Sequence, residues 1–593
     1  MTRRPLAAVL QHLEDANLIR LESASEGAAS FHHGLIQETA YDSLLRPERR
    51  ELHLQVAEIL EGFLASRGDE FADVLAHHFD EGGDSPKAMR LYGRAGELAL
   101  RRWANQEAAM LYGRALALAV ALRTEDELIT DLASKKGRAL ELAGRYAEAL
   151  AGYSELTDVG RRFNSWRIEL AGLLAGASIR GVPTEVFDLA ESSALTERAL
   201  GLARAHGDTA SESRALWTQM RSTYMTDPEK AVELGEASLA LARSVGLTEQ
   251  VAFTLNDLQY GYLGAGRLPD ALHALEEARG KWAESDNLPM LADNLVSTAA
   301  LTLLSGDIDR AVRLAQEGLE IAERIGNLWG QAYARMPMSQ AFFLLGDLGA
   351  AIVCLRECLE LAEPAGFLDP QVTMRSLYGV CLAMVGDVPG GVEEIERAAG
   401  LAGKSYRRLV GTTVAASTLA IALAGDLERA ERRTKELMQV AGPDGLMLEE
   451  TSFLAAFAAA EVALLRHDPD QLIDLVGRYE KFLERYHLGA FFYSLQMYRG
   501  LALAQKGDAQ RAIEELEAVI VAMDASGADL AKWRPYAVLA EVREQQGQLD
   551  EARRCHQEAA ARLERLASGL PDERLRQLFY AKEDVRRELS AVA

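Results

Sequence analysis

The side chains of this sequence that could bind a metal are first of all two histidine pairs, His32–His33 and His77–His78. A structural zinc site needs four Cys or His ligands at characteristic spacings. No HExxH motif, no CxxC pair and no spaced Cys/His set accompanies these histidines. We therefore interpret His77 as an interface residue of a helix, and we predict no metal site.

Three of the four cysteines could also come together. Cys354 and Cys358 are four residues apart and share one helix face, and Cys381 lies on the next predicted helix. Clustered thiols can bind a soft metal, but a free buried cysteine also packs as a small hydrophobic residue. Because Cys358 fills a position that small residues occupy elsewhere in the chain, we favour packing.

Motifs for catalysis are missing from the sequence. It contains no phosphate-binding loop of the form GxxxxGK[ST] and no GxSxG nucleophile elbow. Glu393, Glu394 and Glu396 form one acidic helix face, for which solvation is the ordinary explanation. We predict that the chain is not an enzyme and needs no cofactor.

Aromatic side chains indicate binding more strongly than catalysis. They lie mostly in or near the first helices of the repeats described next, and a ring with a polar tip suits contacts with peptides or sugars. Most of these rings are expected in the core. The candidates for ligand contact are Tyr262, Trp329, Phe342, Phe492, Tyr493 and Tyr498.

A short turn phrase repeats through most of the chain and would position these aromatic residues. It reads GDIDRA from Gly306, GDLGAA from Gly346 and GDLERA from Gly425. Its starts at 226, 266, 306, 346, 386, 425, 467, 507 and 547 are separated by 40, 40, 40, 40, 39, 42, 40 and 40 residues. Such a constant period indicates a repeat architecture.

Each unit is predicted to be a helix-turn-helix hairpin. The glycine supplies the left-handed backbone that ends one helix, and the following Asp caps the next. One hairpin cannot bury its apolar face alone, so the units stack into a superhelix with a concave groove, which the first helices line. The fold class is therefore all-α, a right-handed superhelical solenoid of about 40-residue repeats.

These units resemble the tetratricopeptide-repeat family across residues 85–565. Gly137, Gly379 and Gly500 fill the family's glycine position in the first helix, and Ala271 and Ala351 fit its second helix. The period is 40 rather than the family's 34, and the first-helix tryptophan and closing proline are mostly absent. The resemblance implies an extended variety of the repeat.

The first 80 residues have a different pattern. We predict a helix over Pro5–Asn17, a strand over Leu18–Glu22, a loop over Ser23–Ser30 and a helix from Gly34. Further helices are expected over Pro47–Leu64 and Glu70–Asp80. This order predicts a winged-helix-like remnant over 1–46 and linking helices over 47–84, before the repeat array of 85–565 and capping helices over 566–593.

The phrase FHHGLIQETAYDSLLRPERRELH from Phe31 resembles the end of the winged helix in bacterial signal-transduction ATPases with numerous domains. The region from Ala76 and the ending LPDERLRQLFY from Leu570 are similar to the same family's repeat sensor, without its NTPase module. In relatives a winged-helix histidine touches nucleotide phosphate, and His33 matches that position. Gly34 stands where some relatives continue the motif, and with no NTPase module in this chain we favour a role for His33 at the helix N-terminus or in packing.

Charge narrows the possible partners. The formal net charge is −25, from 64 basic and 89 acidic residues. That field would repel a phosphate backbone or an anionic membrane, so we expect neither nucleic acid nor membrane as a partner. Four cysteines in 593 residues form no disulfide framework, which favours a cytoplasmic protein.

Two compatible functions follow. In the first, the chain is a non-catalytic scaffold and sensor that binds a protein partner or a small effector in its groove and regulates a signalling ATPase, cyclase or transcription regulator. In the second, it is a regulatory fragment of a nucleotide-binding ATPase or adenylate-cyclase-like protein whose catalytic part is absent from this chain. A DNA-binding role is disfavoured, because residues 1–50 carry six basic and seven acidic side chains.

Overall fold

A computed structural model describes residues 6–21, 29–64, 68–102, 104–182, 184–403, 407–441, 452–489 and 492–592. In these residues there are thirty α-helices and a single two-stranded hairpin, so the predicted all-α helical-repeat solenoid is confirmed. The chain divides into two compact units, Met1–Gly176 and Ala177–Ala593. The division falls inside the segment that was predicted to be one repeat array.

The first unit begins with a small α/β segment. Its strands pair antiparallel, with Ile19 opposite Phe31 and Leu21 opposite Ala29. The hairpin agrees with the predicted order of helix, strand and wing, but its second strand begins at Ala29, inside the stretch predicted to be a loop. The assignment to a winged helix stays a prediction. The bounds are α1 (Leu6–Asp15), β1 (Ile19–Leu21), β2 (Ala29–Phe31) and α2 (Gly34–Ser43).

Seven longer helices complete this unit, with one 3₁₀ turn at Gly68–Phe71 between the first two of them. Two of them match the predicted linking helices, and the others form helical hairpins of the repeat type. Their bounds are α3 (Arg46–Leu64), α4 (Ala72–Gly82), α5 (Ser85–Arg101), α6 (Asn105–Leu122), α7 (Asp126–Leu142), α8 (Tyr146–Phe163) and α9 (Trp166–Arg180), the last of which runs across the unit boundary.

The second unit alternates the first and second helices of successive repeats. The first helices are α11 (Thr209–Thr223), α13 (Thr248–Gly264), α15 (Leu288–Ser305), α17 (Leu328–Leu344), α19 (Leu368–Met384), α21 (Arg407–Leu423), α23 (Ser452–Leu465), α25 (Phe492–Lys506) and α27 (Trp533–Gln545). The second helices are α10 (Leu189–His206), α12 (Pro228–Ser244), α14 (Leu268–Glu284), α16 (Ile308–Arg324), α18 (Leu348–Ala362), α20 (Val388–Ala402), α22 (Leu427–Ala441), α24 (Pro469–Tyr486), α26 (Ala509–Ser526) and α28 (Leu549–Gly569). The unit closes with α29 (Glu573–Ala581) and α30 (Glu583–Ser590).

The predicted turn chemistry is present at the repeat turns. Gly306 and Gly346 have φ of 99° and 73°, a conformation that only glycine adopts without strain. Asp307 then caps α16, where its carboxylate accepts the Arg310 N–H at 3.1 Å. Glycine and aspartate therefore end one helix and begin the next, as the repeated phrase predicts.

The first helices form the interior of the second unit. Twelve of the 18 residues of α15 are buried, whereas the neighbouring second helix α16 buries six of 17. A helix that is apolar on nearly every side has neighbours on every side. By length and composition α15 is also the one described helix that could cross a membrane, and 67% of that segment is buried inside the protein.

Candidate binding site on the first helices

Polar side chains at equivalent or nearby positions of successive repeats meet along the first helices. Trp217 Nε1 on α11 donates to Asp257 Oδ2 on α13 at 3.0 Å, and the two residues are 40 apart in sequence. Asn256 Nδ2 on α13 donates to Asp293 Oδ2 on α15 at 3.1 Å. The repeat period therefore places side chains from three units on one face.

Two carboxylates and one guanidinium lie at the centre of this face. Arg221 Nε lies 3.4 Å from Asp257 Oδ2 and completes the contacts that Trp217 begins. Asn256 is held in turn by the buried Asn294, whose Nδ2 donates to Asn256 Oδ1 at 2.9 Å. We call the following set the carboxylate site: Trp217, Arg221, Asn256, Asp257 and Asp293.

Burial disfavours the charged form of both carboxyls. The pKa of Asp293 is raised to about 7, first by burial and then by the negative charge of Asp257. Burial also raises the pKa of Asp257, although Arg221 and the Trp217 N–H act in the opposite direction. The Asp257 side chain keeps 20% of its surface exposed, so the site is accessible from solvent.

A bound cation would remove this electrostatic cost. Asp257 and Asp293 carry two negative charges when ionised, and Arg221 supplies the one positive charge that acts on both. An ammonium or guanidinium group placed beside the carboxylates favours their ionised forms. The arrangement can thus recognise a basic group, and it contains no nucleophile paired with a general base.

Aromatic rings lie next to the carboxylate site and in a later repeat. Phe253 lies 6.0 Å from Trp217 and 4.9 Å from Trp282, measured between ring centroids. On α17, Trp329 stacks on Phe367 at 4.4 Å. Such rings provide apolar and cation–π contact area for a segment that carries a basic group.

Three of the aromatic residues predicted to contact ligand lie partly exposed on the first helices α13 and α17. Trp329 belongs to the stacked pair, and Phe342 packs partly buried against the core. The hydroxyl of Tyr262 donates to Glu236 at 3.0 Å, and the Arg267 guanidinium lies over its ring at 4.6 Å. Burial raises the pKa of Tyr262 to about 12.

The other three predicted aromatic residues lie on α25. Tyr493 is partly buried against the core, and the side chain of Phe492 is outside the described part of the structure. Tyr498 is only 4% exposed, and its hydroxyl donates to Glu461 at 2.6 Å. Arg534 forms an ion pair with the same carboxylate. The prediction that Tyr498 contacts ligand was therefore wrong. It is an interior residue of a polar network.

His33 precedes α2 and is exposed, and it makes no side-chain capping bond. Of the other histidines named from the sequence, His77 and His78 belong with His53 to a cluster between α3 and α4, whereas His32 lies beside His33. His53 Nδ1 lies 2.9 Å from His78 Nδ1, and the Tyr41 hydroxyl lies 3.0 Å from His53 Nε2. The His77 ring lies 5.8 Å from that of His53, centroid to centroid. We call His53, His77 and His78 the histidine cluster.

Cys354, Cys358 and Cys381 are all buried in the second unit, where Cys358 and Cys381 belong to one core cluster. The Cys358 thiol donates to the Ala332 carbonyl at 3.3 Å, and burial raises the pKa of all three thiols. These contacts agree with the packing interpretation. Across the described residues no group of three or more His, Cys, Asp or Glu side chains is placed to hold a metal ion.

The sequence analysis missed most of the carboxylate site. Asn256 and Asp257 interrupt the middle of α13, where several other repeats carry apolar or small residues at the same positions, such as Met336 and Leu377. An unusual polar pair in an otherwise apolar first helix was the available signal. It could have been found by aligning the units at their 40-residue period.

No protein-family model matches the chain, and no curated protein matches it. Among solved structures, the chain is similar to aspartyl phosphate phosphatase F from Bacillus subtilis, with 12% sequence identity and a TM-score of 0.39. That similarity covers 58% of this chain and 91% of the other. A likeness of this degree says nothing about the activity of this chain.

Proposed function

We propose that this protein is a non-catalytic interaction scaffold whose first helices bind a protein segment or a small effector that carries a basic group. The observation that carries the proposal is the pair Asp257 and Asp293, which lie beside a single guanidinium while the pKa of Asp293 is raised to about 7. A basic ligand would supply the missing positive charge. The bordering aromatic rings supply contact area for the rest of the segment.

We further propose a regulatory role, in which ligand binding controls a signalling ATPase, a cyclase or a transcription regulator. The similarity of the FHHGLIQETAY phrase and of the repeat region to the sensor part of signal-transduction ATPases supports this role. The exposed position of His33 at the start of α2 leaves its imidazole accessible to a nucleotide-binding partner. The partner module and the cellular compartment stay predictions.

A peptide-binding experiment tests the first proposal. Three labelled peptide pools would be compared, random except for Lys, Arg or Gln at the central position. We expect the Lys and Arg pools to bind the full chain, and the double substitution D257N/D293N to weaken binding by about tenfold or more, as for loss of a desolvated charge pair.

The matched control is Glu317→Gln, which removes one negative charge from the exposed face of α16 without touching the carboxylate site. It should leave the affinity unchanged. Equal binding of all three pools, or equal affinity of D257N/D293N and the unaltered chain, would contradict recognition of a basic group.

A further inference from the structure

The C-terminal ends of the first helices lie against a distant part of the same unit. The backbone N–H groups of Asp529 and Leu530 both donate to the Leu344 carbonyl oxygen, where α17 ends, at 3.2 Å. At the end of α15, a Cβ added to Gly489 would lie 2.6 Å from the Ser305 carbonyl oxygen. These helices therefore end against backbone from repeats much later in the chain.

Similar long-range contacts occur earlier and later in the chain than those at the ends of α15 and α17. After α13, a Cβ on Gly266 would lie 3.4 Å from the Arg485 carbonyl oxygen. Further on, Arg574 forms an ion pair with Asp387 at 2.7 Å, across 187 residues of sequence. We call this line of contacts the seam, which comprises Gly266 with Arg485, Ser305 with Gly489, Leu344 with Asp529, Gly349 with Gly569, and Asp387 with Arg574.

Glycine is required at several seam positions because backbone approaches backbone there. A Cβ on Gly349 would lie 1.9 Å from the Gly569 carbonyl oxygen, far inside contact distance. Repeat glycines away from the seam differ, since a Cβ on Gly507 or on Gly280 would meet nothing within 4 Å. Other glycines, such as Gly160 and Gly172, approach backbone that is near in sequence, whereas the seam glycines approach backbone from distant repeats.

Two of the helices that end at the seam carry the carboxylates of the carboxylate site. Asn256 and Asp257 lie on α13, and Asp293 lies on α15. The hydrogen bond from Asn256 to Asp293 depends on the spacing of these two helices, and the seam fixes the ends of both. Any change in that spacing must be accommodated at the seam.

We propose that the seam is a conformational clasp that, when closed, holds α13 and α15 at the spacing that the carboxylate site requires. Ligand binding then stabilises the closed seam, and release of the seam weakens binding. The two sites are coupled through packed helices, so each must affect the other by the same free energy. The inference rests on the proposed function for its ligand, but the geometric coupling can be measured without one.

The test uses seam variants of the full chain, Gly349→Ala and Gly489→Ala, labelled with 5-fluorotryptophan. Fluorine NMR of Trp217 reports on the carboxylate site, with its resonance assigned by Trp217→Phe. Hydrogen exchange at Asp529 and Leu530 reports on the seam. We expect both variants to shift the Trp217 resonance and to speed exchange at these two amides by about fivefold or more.

Gly280→Ala is the matched control, because it adds a methyl group to a helix of the same unit away from the seam. It should alter neither readout. Should a glycine variant fail to fold, Arg574→Ala removes the exposed partner of Asp387 and should cause smaller changes in the same direction, with Arg576→Ala as its control.

Faster exchange at Asp529 and Leu530 with an unmoved Trp217 resonance would overturn the coupling. Unchanged exchange in both glycine variants would overturn the seam as the element that holds these helices. A shifted Trp217 resonance together with no binding of the Lys pool by the unaltered chain would instead support the clasp and reject the proposed ligand class.

Discussion

The histidine cluster of the first unit and the carboxylate site of the second unit are both built between neighbouring helices, and burial shifts their pKa values in opposite directions. Burial lowers the pKa of His53 and of His78. It raises the pKa of Asp293 to about 7. In each case the neutral form is favoured, which means a lost proton for a base and a retained proton for an acid.

The two regions should therefore lose stability at opposite ends of the pH range. The pKa values of His53 and His78 are lower in the folded protein, so the contribution of these two residues is complete above pH 6.5 and is lost as pH falls below it. The pKa of Asp293 is higher in the folded protein, so its contribution is complete below pH 3.8 and is lost as pH rises towards 7.

The largest effect is expected for Asp293→Asn. The amide keeps an acceptor for Asn256 but cannot ionise beside Asp257, so it should stabilise the second unit by about 2 kcal/mol at pH 8. At pH 4 the gain should nearly vanish, because Asp293 is then protonated. Thermal unfolding at both pH values measures the difference, with Glu317→Gln as control, and an equal gain at both would argue against a pKa raised by burial.

Trp217→Phe should have a smaller effect. It removes the indole N–H that donates to Asp257 at 3.0 Å but keeps a ring beside Phe253. We expect a loss of about 1 kcal/mol at pH 8 and a further rise in the pKa of Asp257. Trp329→Phe, at a ring that stacks on Phe367, serves as control, and similar pH dependence of the two variants would contradict the role of the N–H.

His78→Gln probes the first unit. Wild-type α3 and α4 should lose a few tenths of a kcal/mol of local stability between pH 7.5 and pH 5, a small value because the rings remain partly exposed. The charged groups that act on His53 are Arg49, His77 and Glu81, and His78 is also affected by His77.

The substitution should flatten this dependence, as measured by hydrogen exchange of α3 and α4 amides in the presence of a chelator. His33→Gln, at an exposed histidine outside the cluster, should leave the dependence unchanged. If His78→Gln and wild type show the same slope, the two imidazoles are not coupled.

Tyr41→Phe should give a similarly small change. It removes a hydroxyl 3.0 Å from His53 Nε2, on an exposed side chain that exchanges readily with water. The loss should stay near 0.5 kcal/mol at pH 7.5, the low end for a hydrogen bond. A loss of stability as large as that of Trp217→Phe would contradict the expected difference between the exposed Tyr41 hydroxyl and the part-buried Trp217 N–H.

The repeats were predictable because each depends on contacts close in sequence. Gly306 and Asp307 end one helix and begin the next through local backbone geometry, so the turn phrase alone predicts both. The same holds for α1 and α3, whose bounds agree with the prediction to within two residues. The strand at Ala29–Phe31 was missed because three residues carry too little pattern.

The binding site and the seam could not be predicted in the same way. Which aromatic residues face solvent depends on how successive repeats stack, so Tyr498 is buried against Glu461 although it was predicted, like Trp329, to contact ligand. The seam joins residues such as Asp387 and Arg574, which are 187 apart, through small rotations that accumulate over several repeats. No short sequence pattern reveals the total rotation that accumulates over several repeats.

Repeat arrays commonly tolerate the gain or loss of whole units, since each unit contacts only its neighbours. The seam removes that tolerance here. Recombination that duplicated or deleted one hairpin between Gly306 and Gly489 would shift the later seam residues away from their partners. The hydrogen bonds from Asp529 and Leu530 to Leu344 would then be lost. The number of units in this stretch is therefore fixed by the geometry of the folded chain, and the gene should accept point changes there more readily than changes in copy number.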